Sequence, residues 1–566
     1  MRKGRLAVVL AVLLGSAVWP ASQDSVVNSP HNLSVSGPGP VKSLSESEVC
    51  VFCHASHRAG VTPLWNRELS QAVYITYKSP TAKAQPTQPT GASKLCLSCH
   101  DGTIALGRIL SRQTPESLSG SQRIRDRKNL GTDLSDDHPV SMVYSRAQSG
   151  KPGTFKAVPL QGAPVTLDEN GQVQCTSCHD AHSNRFGDFL AMDNREGRLC
   201  LACHSLKDWA ASTHNISTAR WNGRGHNPWP YTPYEDVHSN ACANCHSVHE
   251  AGGKEHLLYY NQEAENCYSC HNGAVAHKDL RPDFEKPFRH RVEAAVGARP
   301  KPIGRDFQVT RVGCTDCHNP HASGDMEATP PNASGALKGV SGMAVTGAIA
   351  EQAQFEYEVC FKCHSRNVQY SVTRPVRRLR MLSSLREKFD PSAVSYHPVV
   401  AAGHGASVPS LVAPRSATGL ISCTDCHSDD STAPGSPTAI RGPHGSKYPS
   451  LLVLPYETGD MINESQEAYA LCYQCHDRQS IISDQSFSEH YRHVVRVRAP
   501  CSVCHDAHGV SRSEGTALHN SHLINFDITV VRPDPASRRL EYTAEGFRKG
   551  ACFLSCHGNN HSPHSY

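Results

Sequence analysis

The stretch CTSCHDAH occupies residues 175–182, and close variants of it return as CANCHSVH at 242–249, CTDCHNPH at 314–321 and CSVCHDAH at 501–508. Each copy has two cysteines three positions apart, a histidine directly after the second cysteine, and another histidine three residues later. One chemical explanation has to account for all four positions.

The first three positions recur at every cysteine of the 566-residue chain. Its 24 cysteines form twelve pairs with none left over, and a histidine follows each pair. Eleven pairs read C-x-x-C-H, and the twelfth, CFLSCH at 552–557, is one residue longer. The paired cysteines are Cys50 and Cys53, Cys96 and Cys99, Cys175 and Cys178, Cys200 and Cys203, Cys242 and Cys245, Cys267 and Cys270, Cys314 and Cys317, Cys360 and Cys363, Cys423 and Cys426, Cys472 and Cys475, Cys501 and Cys504, and Cys552 and Cys556. The histidines that follow them are His54, His100, His179, His204, His246, His271, His318, His364, His427, His476, His505 and His557.

C-x-x-C-H is the attachment signature of c-type haem. The two thiols form thioethers with the haem vinyl groups, and the adjacent histidine binds iron as the proximal ligand. Structural zinc or a disulfide framework would use the cysteines but gives no reason for the histidine, and a redox CxxC would occur once in a βαβ pattern. The motifs therefore predict twelve covalently attached haem c groups with these twelve proximal histidines.

Residues 1–22 read as a signal peptide, because Arg2, Lys3 and Arg5 precede an apolar run too short to span a bilayer. No later stretch reads as a membrane span, so we expect no transmembrane segment in the mature chain. Covalent haem attachment takes place outside the bacterial cytoplasm. We therefore expect an exported protein in the periplasm or at the cell surface.

The composition is too poor in apolar residues for an ordinary core: 38% are hydrophobic, 7% are aromatic, and 78 residues are Gly or Pro (41 and 37). We expect a haem-cored, elongated fold that is mostly irregular, with short α-helices and a few short strands. The formal charge of +4 includes the signal segment and omits the haem propionates. Twelve haems with two propionates each add roughly −24, so nothing points to nucleic acid as a partner.

The motifs group two by two into six haem-pair units. We place their boundaries at residues 23–111, 112–213, 214–278, 279–370, 371–480 and 481–566. After the twelve proximal histidines are subtracted, 22 of the 34 histidines remain, against seven methionines in the whole chain. Histidine at the second axial position, the distal ligand, is therefore the economical prediction for all or nearly all haems.

Each unit offers histidines upstream of its first motif and, with one exception, a histidine three residues after that motif. The +3 histidine lies on the same helical face as the proximal one, which holds its own iron, so we expect it to reach a neighbouring haem. The exception is the fifth unit, where Asp430 occupies the +3 position and His444 is the nearest replacement. In unit order, the distal candidates are His31 and His57; His138 and His182; His226 or His238 with His249; His290 and His321; His397 with His444; and His490 or His493 with His508.

Several stretches together resemble the multihaem cytochromes c with doubled CXXCH motifs, among them CVFCHASH, CLSCHDGT, SYHPVV, CYQCHDR and the final CHGNNH. The resemblance covers essentially the whole chain after the signal segment. It implies electron transport through the periplasm, through outer-membrane conduits of porin and cytochrome, or along extracellular haem chains. It also implies other redox proteins as partners, cytochromes above all, and either an outer-membrane porin or further copies of the chain.

The primary prediction is a dodecahaem electron carrier rather than an enzyme, with no catalytic residue. One alternative is a multihaem oxidoreductase in which one open iron acts on a small nitrogen or sulfur compound, at the haem of Cys423 or of Cys552. Another is a subunit of a conducting filament, with His31 as ligand to a haem of the next copy.

Overall fold

The computed structural model describes residues 24–566 except 56–63, 80–81, 83, 151–152, 158–163, 293–311, 366–375, 380–383, 405–407 and 432–441. The predicted signal peptide and His57 lie outside the described residues. Most of the described chain is loop, turn and bend, with short helices and small strands. The prediction of a mostly irregular chain with short α-helices and a few short strands is confirmed.

The α-helices are α1 Gly91–His100, α2 Tyr144–Gly150, α3 Cys175–Cys178, α4 Arg198–Leu201, α5 Thr213–Ile216, α6 Val237–Asn240, α7 Glu263–Tyr268, α8 Arg281–Glu285, α9 Cys314–Cys317, α10 Glu356–His364, α11 Ala470–Tyr473, α12 Arg478–Ile482 and α13 Cys501–Cys504. The 3-10 turns are Val26–Asn28, Cys50–Phe52, Arg195–Gly197, Trp209–Ala211, Ala241–Asn244, Lys254–His256, Gly335–Leu337, Leu385–Glu387, Cys423–Asp425 and Pro449–Leu451, and a π-helical turn covers Tyr491–Arg496. Few of these helices exceed two turns, which is too short for stability without tertiary contacts.

The strands are β1 Lys42–Ser43, β2 Ile75–Thr76, β3 Leu118–Ser119, β4 Asp133–Leu134, β5 Met142–Val143, β6 Gln172–Val173, β7 Phe288–Arg289, β8 Gly342–Met343, β9 Ile349–Ala350, β10 Gly445–Ser446, β11 Val531–Arg532, β12 Glu541–Gly546, β13 Lys549–Cys556 and β14 Asn559–Ser565. Antiparallel pairs form between β1 and β3, β5 and β6, β8 and β9, and β7 and β10, while β2 and β4 run parallel. The longest strands form one antiparallel sheet in which β13 pairs with β11, β12 and β14.

The described chain divides into two compact bodies. The amino-terminal body comprises the described residues up to Ser205 with Val248–Glu250, and the carboxyl-terminal body comprises those of Leu206–Ser247 with Ala251–Tyr566. The first four motifs belong to the amino-terminal body and the last eight to the carboxyl-terminal body.

Buried apolar residues form eight small clusters among the described residues, and the largest has seven members. Seven of the eight clusters pack against a cysteine of a CxxCH-type motif. The apolar interior is therefore distributed along the motifs, as expected where the core of each region is a prosthetic group. No helix in the described part of the chain is long and apolar enough to cross a membrane.

Candidate haem sites

Nearly every motif is folded as a single helical turn. In α3 and α9, for example, the backbone N–H of His179 and of His318 donates to the carbonyl of the first cysteine at 2.9 Å. Residues three apart on such a turn project from one side, so the two thiols of each motif point the same way. All 24 cysteines are free thiols, as thioether formation requires.

The two motifs of a unit lie in different local structures. The first motif stands alone as a short turn that begins at or beside its first cysteine, as in Cys50–Phe52, α3, α9, Cys423–Asp425 and α13. The second motif belongs to a helix that begins before it, as in α1, α7 and α10. The last motif is different, because both of its cysteines lie in strand β13.

Eleven of the twelve motif histidines face a second histidine ring, with ring centres 5.9–6.4 Å apart. Within the amino-terminal body the pairs, motif histidine first, are His54 with His182, His100 with His31, His179 with His249, and His204 with His138. Within the carboxyl-terminal body they are His246 with His321, His271 with His214, His318 with His444, His364 with His290, His427 with His508, His476 with His397, and His505 with His490.

This spacing fits a haem iron between the rings. Metal–nitrogen bonds of about 2 Å on both sides, with the distance from each ring centre to its nitrogen, add up to a separation of this size. Among the described residues, no group of three or more His, Cys, Asp or Glu side chains is arranged to hold a metal ion. Two facing histidines alone lack the equatorial ligands that a porphyrin supplies.

Many of the facing rings are held by their Nδ1 atoms. Nδ1 of His179 bonds the carbonyl of Asp188 at 2.9 Å, and Nδ1 of His397 bonds the carbonyl of Ala507 at 2.6 Å. Similar carbonyl contacts hold His31, His100, His246, His290, His318, His427 and His505. A bond at Nδ1 fixes the tautomer and leaves Nε2 free to bind a metal.

In several of these rings, burial favours the neutral form that a ligand needs. It lowers the pKa of His138 to about 4, and the nearby His204 and His249 add to the effect. The pKa of His271, of His364 and of His505 is also lowered to about 4, mainly by burial.

The pairs follow a rule of sequence order. The second motif of a unit faces a histidine upstream in its own unit, as His204 faces His138. In the first five units the first motif faces a histidine from the next unit, as His54 faces His182 and His246 faces His321, whereas in the sixth unit His505 faces His490 of its own unit. The expectation that +3 histidines reach neighbouring haems takes this specific form, in which each unit supplies a ligand candidate to the unit before it.

In the fifth unit, His444 faces His318, the motif histidine that a +3 histidine of this unit would be expected to face. Asp430, which occupies the +3 position, instead contacts Lys286 at 2.7 Å, and Lys286 also contacts Asp429 and Asp283. Lys286 therefore forms ion pairs with three carboxylates that are almost fully buried. Burial works against the charged form of Asp429, but its bonds to Lys278 and Lys286 hold the pKa of that carboxyl well below its usual range.

The third unit departs from the predicted set. His271 faces His214, which we had not included, rather than His226 or His238. His226 is exposed, and the ring of His238 contacts the carbonyl of Asn215. His214 lies in α5, where its Nδ1 atom contacts the Ser323 hydroxyl at 3.2 Å. The upstream histidines of the other units stand at varied distances from their motifs, so no sequence signal distinguishes His214 from His226.

His31, considered above as a ligand to another copy, faces His100 of its own chain. Its ring also stacks on Phe189, with ring centres 4.0 Å apart.

The last unit also differs from the predicted set of ligands. Its two upstream candidates face different rings: His490 faces His505, and His493 faces His561 at 6.3 Å. The predicted proximal ligand His557 contacts the Asp460 carboxylate instead. His561 was also absent from our predicted set. The cause is the strand at the last motif, which directs neighbouring residues to opposite faces.

Thiols of successive motifs lie beside one another inside each body. In the amino-terminal body, Cys53 is near Cys99, the Cys96 thiol donates a hydrogen bond to the sulfur of Cys175, and Cys178 is near Cys203. In the carboxyl-terminal body the sequence of neighbours is Cys245 and Cys270, Cys267 and Cys314, Cys317 and Cys360, Cys360 and Cys423, Cys426 and Cys475, Cys472 and Cys501, and Cys504 with Cys552 and Cys556. Attachment points therefore follow one another in chain order within each body.

Comparison with known proteins agrees with this geometry. A family model described as the doubled CXXCH motif matches residues 168–208, 235–276 and 422–481. The matched segments contain six of the twelve motifs and support a multihaem c-type cytochrome of the doubled CXXCH class.

Among individual proteins, the chain is similar to the multiheme cytochrome MtrA of Shewanella baltica (strain OS185). The two are 29% identical over 162 residues, which is 27% of this chain. The match spans only 36% of the length of that relative.

Proposed function

We propose that the protein carries twelve haem c groups and relays electrons one at a time along them. Haem iron supplies the reversible one-electron change between its ferric and ferrous states. The observation that carries the proposal is the set of eleven facing histidine pairs, to which the last unit adds a twelfth. Histidines fixed on both sides hold an iron in the same surroundings in both oxidation states, so little rearrangement accompanies each transfer.

The contacts between successive thiols support a relay in chain order. Because electron tunnelling rates fall steeply with separation, a carrier needs its redox groups close together. In each body the attachment cysteines of one motif lie beside those of the next, so consecutive groups are held near one another without protein motion. We extend this order to the whole chain, with the first and last haems as entry and exit.

The same geometry argues against the enzyme alternative at one of its two candidate positions. His427, the proximal candidate at Cys423, faces His508 with ring centres 5.9 Å apart. An iron between them has no open position for a substrate. His31 likewise faces a histidine of its own chain, which removes the argument for a filament based on that residue.

Partners and location follow from the chemistry of a carrier. The proposed partners are other redox proteins, with cytochromes or a porin-bound cytochrome complex as the class, and the proposed location is the periplasm or the cell exterior. The predicted signal peptide and the need for haem attachment outside the cytoplasm support export.

Intact-mass measurement on fractions of the producing cell tests haem number and location together. We expect the exported fraction to contain a chain cleaved near residue 22 that carries twelve haem masses. A stable, exported chain with fewer haems would contradict the count, and a haem-loaded chain in the cytoplasm would contradict the location.

A further inference from the structure

The last motif presents its two thiols from a strand rather than from a helical turn. Cys552 and Cys556 lie in β13. Side chains of a strand alternate between its two faces, so residues four apart share one face while residues three apart do not. The additional residue in CFLSCH is therefore what a strand needs to keep both cysteines together.

The same alternation directs the next residue, His557, away from the two cysteines. His557 follows Cys556 directly, at the turn between β13 and β14, and has φ +48°. Its Nε2 atom, which would have to bind iron, lies 2.8 Å from Oδ2 of Asp460. In the other motifs the histidine closes a helical turn on its own first cysteine, and that bond has no counterpart in a strand.

The next strand brings two histidines to the cysteine face. In the β13–β14 register, His564 is opposite Cys552 and His561 is opposite Leu554, with a register shift between these pairs, and Leu554 shares its face with Cys552 and Cys556. The ring contacts separate the two histidines, because His561 faces His493 whereas His564 contacts His561 and Tyr566. Leu554 packs in the same apolar cluster that these two cysteines border. A hairpin thus supplies on one face two thiols and an imidazole, the three groups that a CxxCH turn supplies elsewhere.

His561 has the features of a ligand. Its ring centre lies 6.3 Å from that of His493, within the range of the eleven other pairs. Nδ1 of His561 is 3.2 Å from the Tyr566 hydroxyl, and Nδ1 of His493 bonds the carbonyl of Glu489 at 2.8 Å. Both rings therefore have Nε2 free to bind a metal.

We propose that the haem on Cys552 and Cys556 is held axially by His561 and His493, and that His557, although it follows the second cysteine, is not a ligand of its iron. This inference rests on the proposed function, because it concerns one of the twelve proposed haems. It makes the last site a strand-based variant of c-type attachment, in which the proximal histidine comes from the neighbouring strand.

Methionine substitution of the three histidines in this hairpin separates the possibilities. In holoprotein with His561→Met, we expect one haem in twelve to acquire methionine ligation, seen as a red-region charge-transfer band in the oxidised protein and as one redox transition moved to higher potential. In His557→Met we expect neither change. His564→Met is the comparison variant, because His564 is opposite Cys552 in the register but its ring contacts are with His561 and Tyr566 rather than with His493. We expect no methionine signature from it, and a signature in this variant instead of in His561→Met would overturn the inference.

Intact mass is measured on each variant, since loss of the haem would also remove the signal. If His557→Met gives the methionine signature and His561→Met does not, the inference is overturned. If a variant loses its last haem, the position of iron in a crystal or cryo-EM structure of the unaltered holoprotein decides: Nε2 of His561 bound to iron supports the inference and Nε2 of His557 refutes it. A chain that attaches only eleven haems in its unaltered form would instead contradict the proposed count.

Discussion

At the scale of the residue, an axial histidine needs its Nε2 atom free, and several facing rings meet this need because they bond through Nδ1. His179 and His397 bond backbone carbonyls through Nδ1 and leave Nε2 free. His557 and His404 use Nε2 itself for a bond, to Asp460 and to the carbonyl of Ala393 respectively. Position relative to a motif is therefore an incomplete guide, because the surrounding chain decides which ring nitrogen is available.

Replacing His214 tests the ligand in the third unit. We expect His214→Ala to leave one iron with a single histidine, giving about one high-spin haem in twelve and an equal amount of carbon monoxide binding when reduced. His226→Ala is the matched control, because this exposed histidine faces no motif ring. A high-spin haem in the His226 variant alone would show that the pairing of His271 with His214 is wrong.

A second change at this scale tests the buried lysine beside the fifth unit. Lys286→Met leaves Asp283, Asp429 and Asp430 with less positive charge around them, and we expect it to lower the free energy of unfolding by about 3–5 kcal/mol. Lys447→Met removes a lysine that is 62% exposed and 3.7 Å from Asp430, so we expect a change of less than about 1 kcal/mol. Thermal or denaturant unfolding followed by Soret circular dichroism provides the comparison. Equal effects of the two variants would contradict the role given to Lys286.

At the scale of the element, helices are short and depend on one another. Glu356 at the start of α10 accepts bonds from the backbone N–H of Thr424 at 3.0 Å and from its hydroxyl at 2.8 Å. Glu263 at the start of α7 makes the same two contacts with Thr315. A second motif's helix thus fixes the turn of the next first motif, by satisfying an N–H that a helix start leaves unpaired.

Glu356→Ala tests this coupling. Burial raises the pKa of the Glu356 carboxyl, yet the group accepts both bonds from Thr424. We expect the variant to lose about 1–3 kcal/mol of stability, since the Thr424 donors lose their partner. The control is Glu351→Ala at an exposed position nearby, for which we expect almost no change. The experiment compares unfolding midpoints of the two holoproteins, and a smaller effect for Glu356→Ala would refute the coupling.

Sequence patterns predict these elements only in part. The motif turns are predictable because thiols three apart require a helical turn, and the irregular class follows from the low apolar content. The strand at Cys552 and the facing of His271 with His214 depend on contacts between residues far apart in sequence, which no local pattern contains. The widened spacing of CFLSCH was the local sign that the last site differs, although the sequence alone did not indicate that His561 replaces His557.

At the scale of the molecule, a relay differs from a collection of separate sites in how it fills with electrons. Neighbouring groups interact, so their potentials spread out over a continuous range. We expect an anaerobic reductive titration to take up twelve electrons per chain in a broad, overlapping series of steps. Fewer electrons than the number of haems found by mass would contradict a relay that connects every group.

The central claim is that every haem iron has a histidine as each of its two axial ligands. A low-temperature EPR spectrum of the oxidised holoprotein, with a carbon monoxide titration of the reduced form, tests it directly. The account predicts low-spin signals alone and no carbon monoxide adduct. A high-spin signal near one haem in twelve, with matching carbon monoxide binding, would reveal an open iron and contradict the account in favour of a multihaem enzyme.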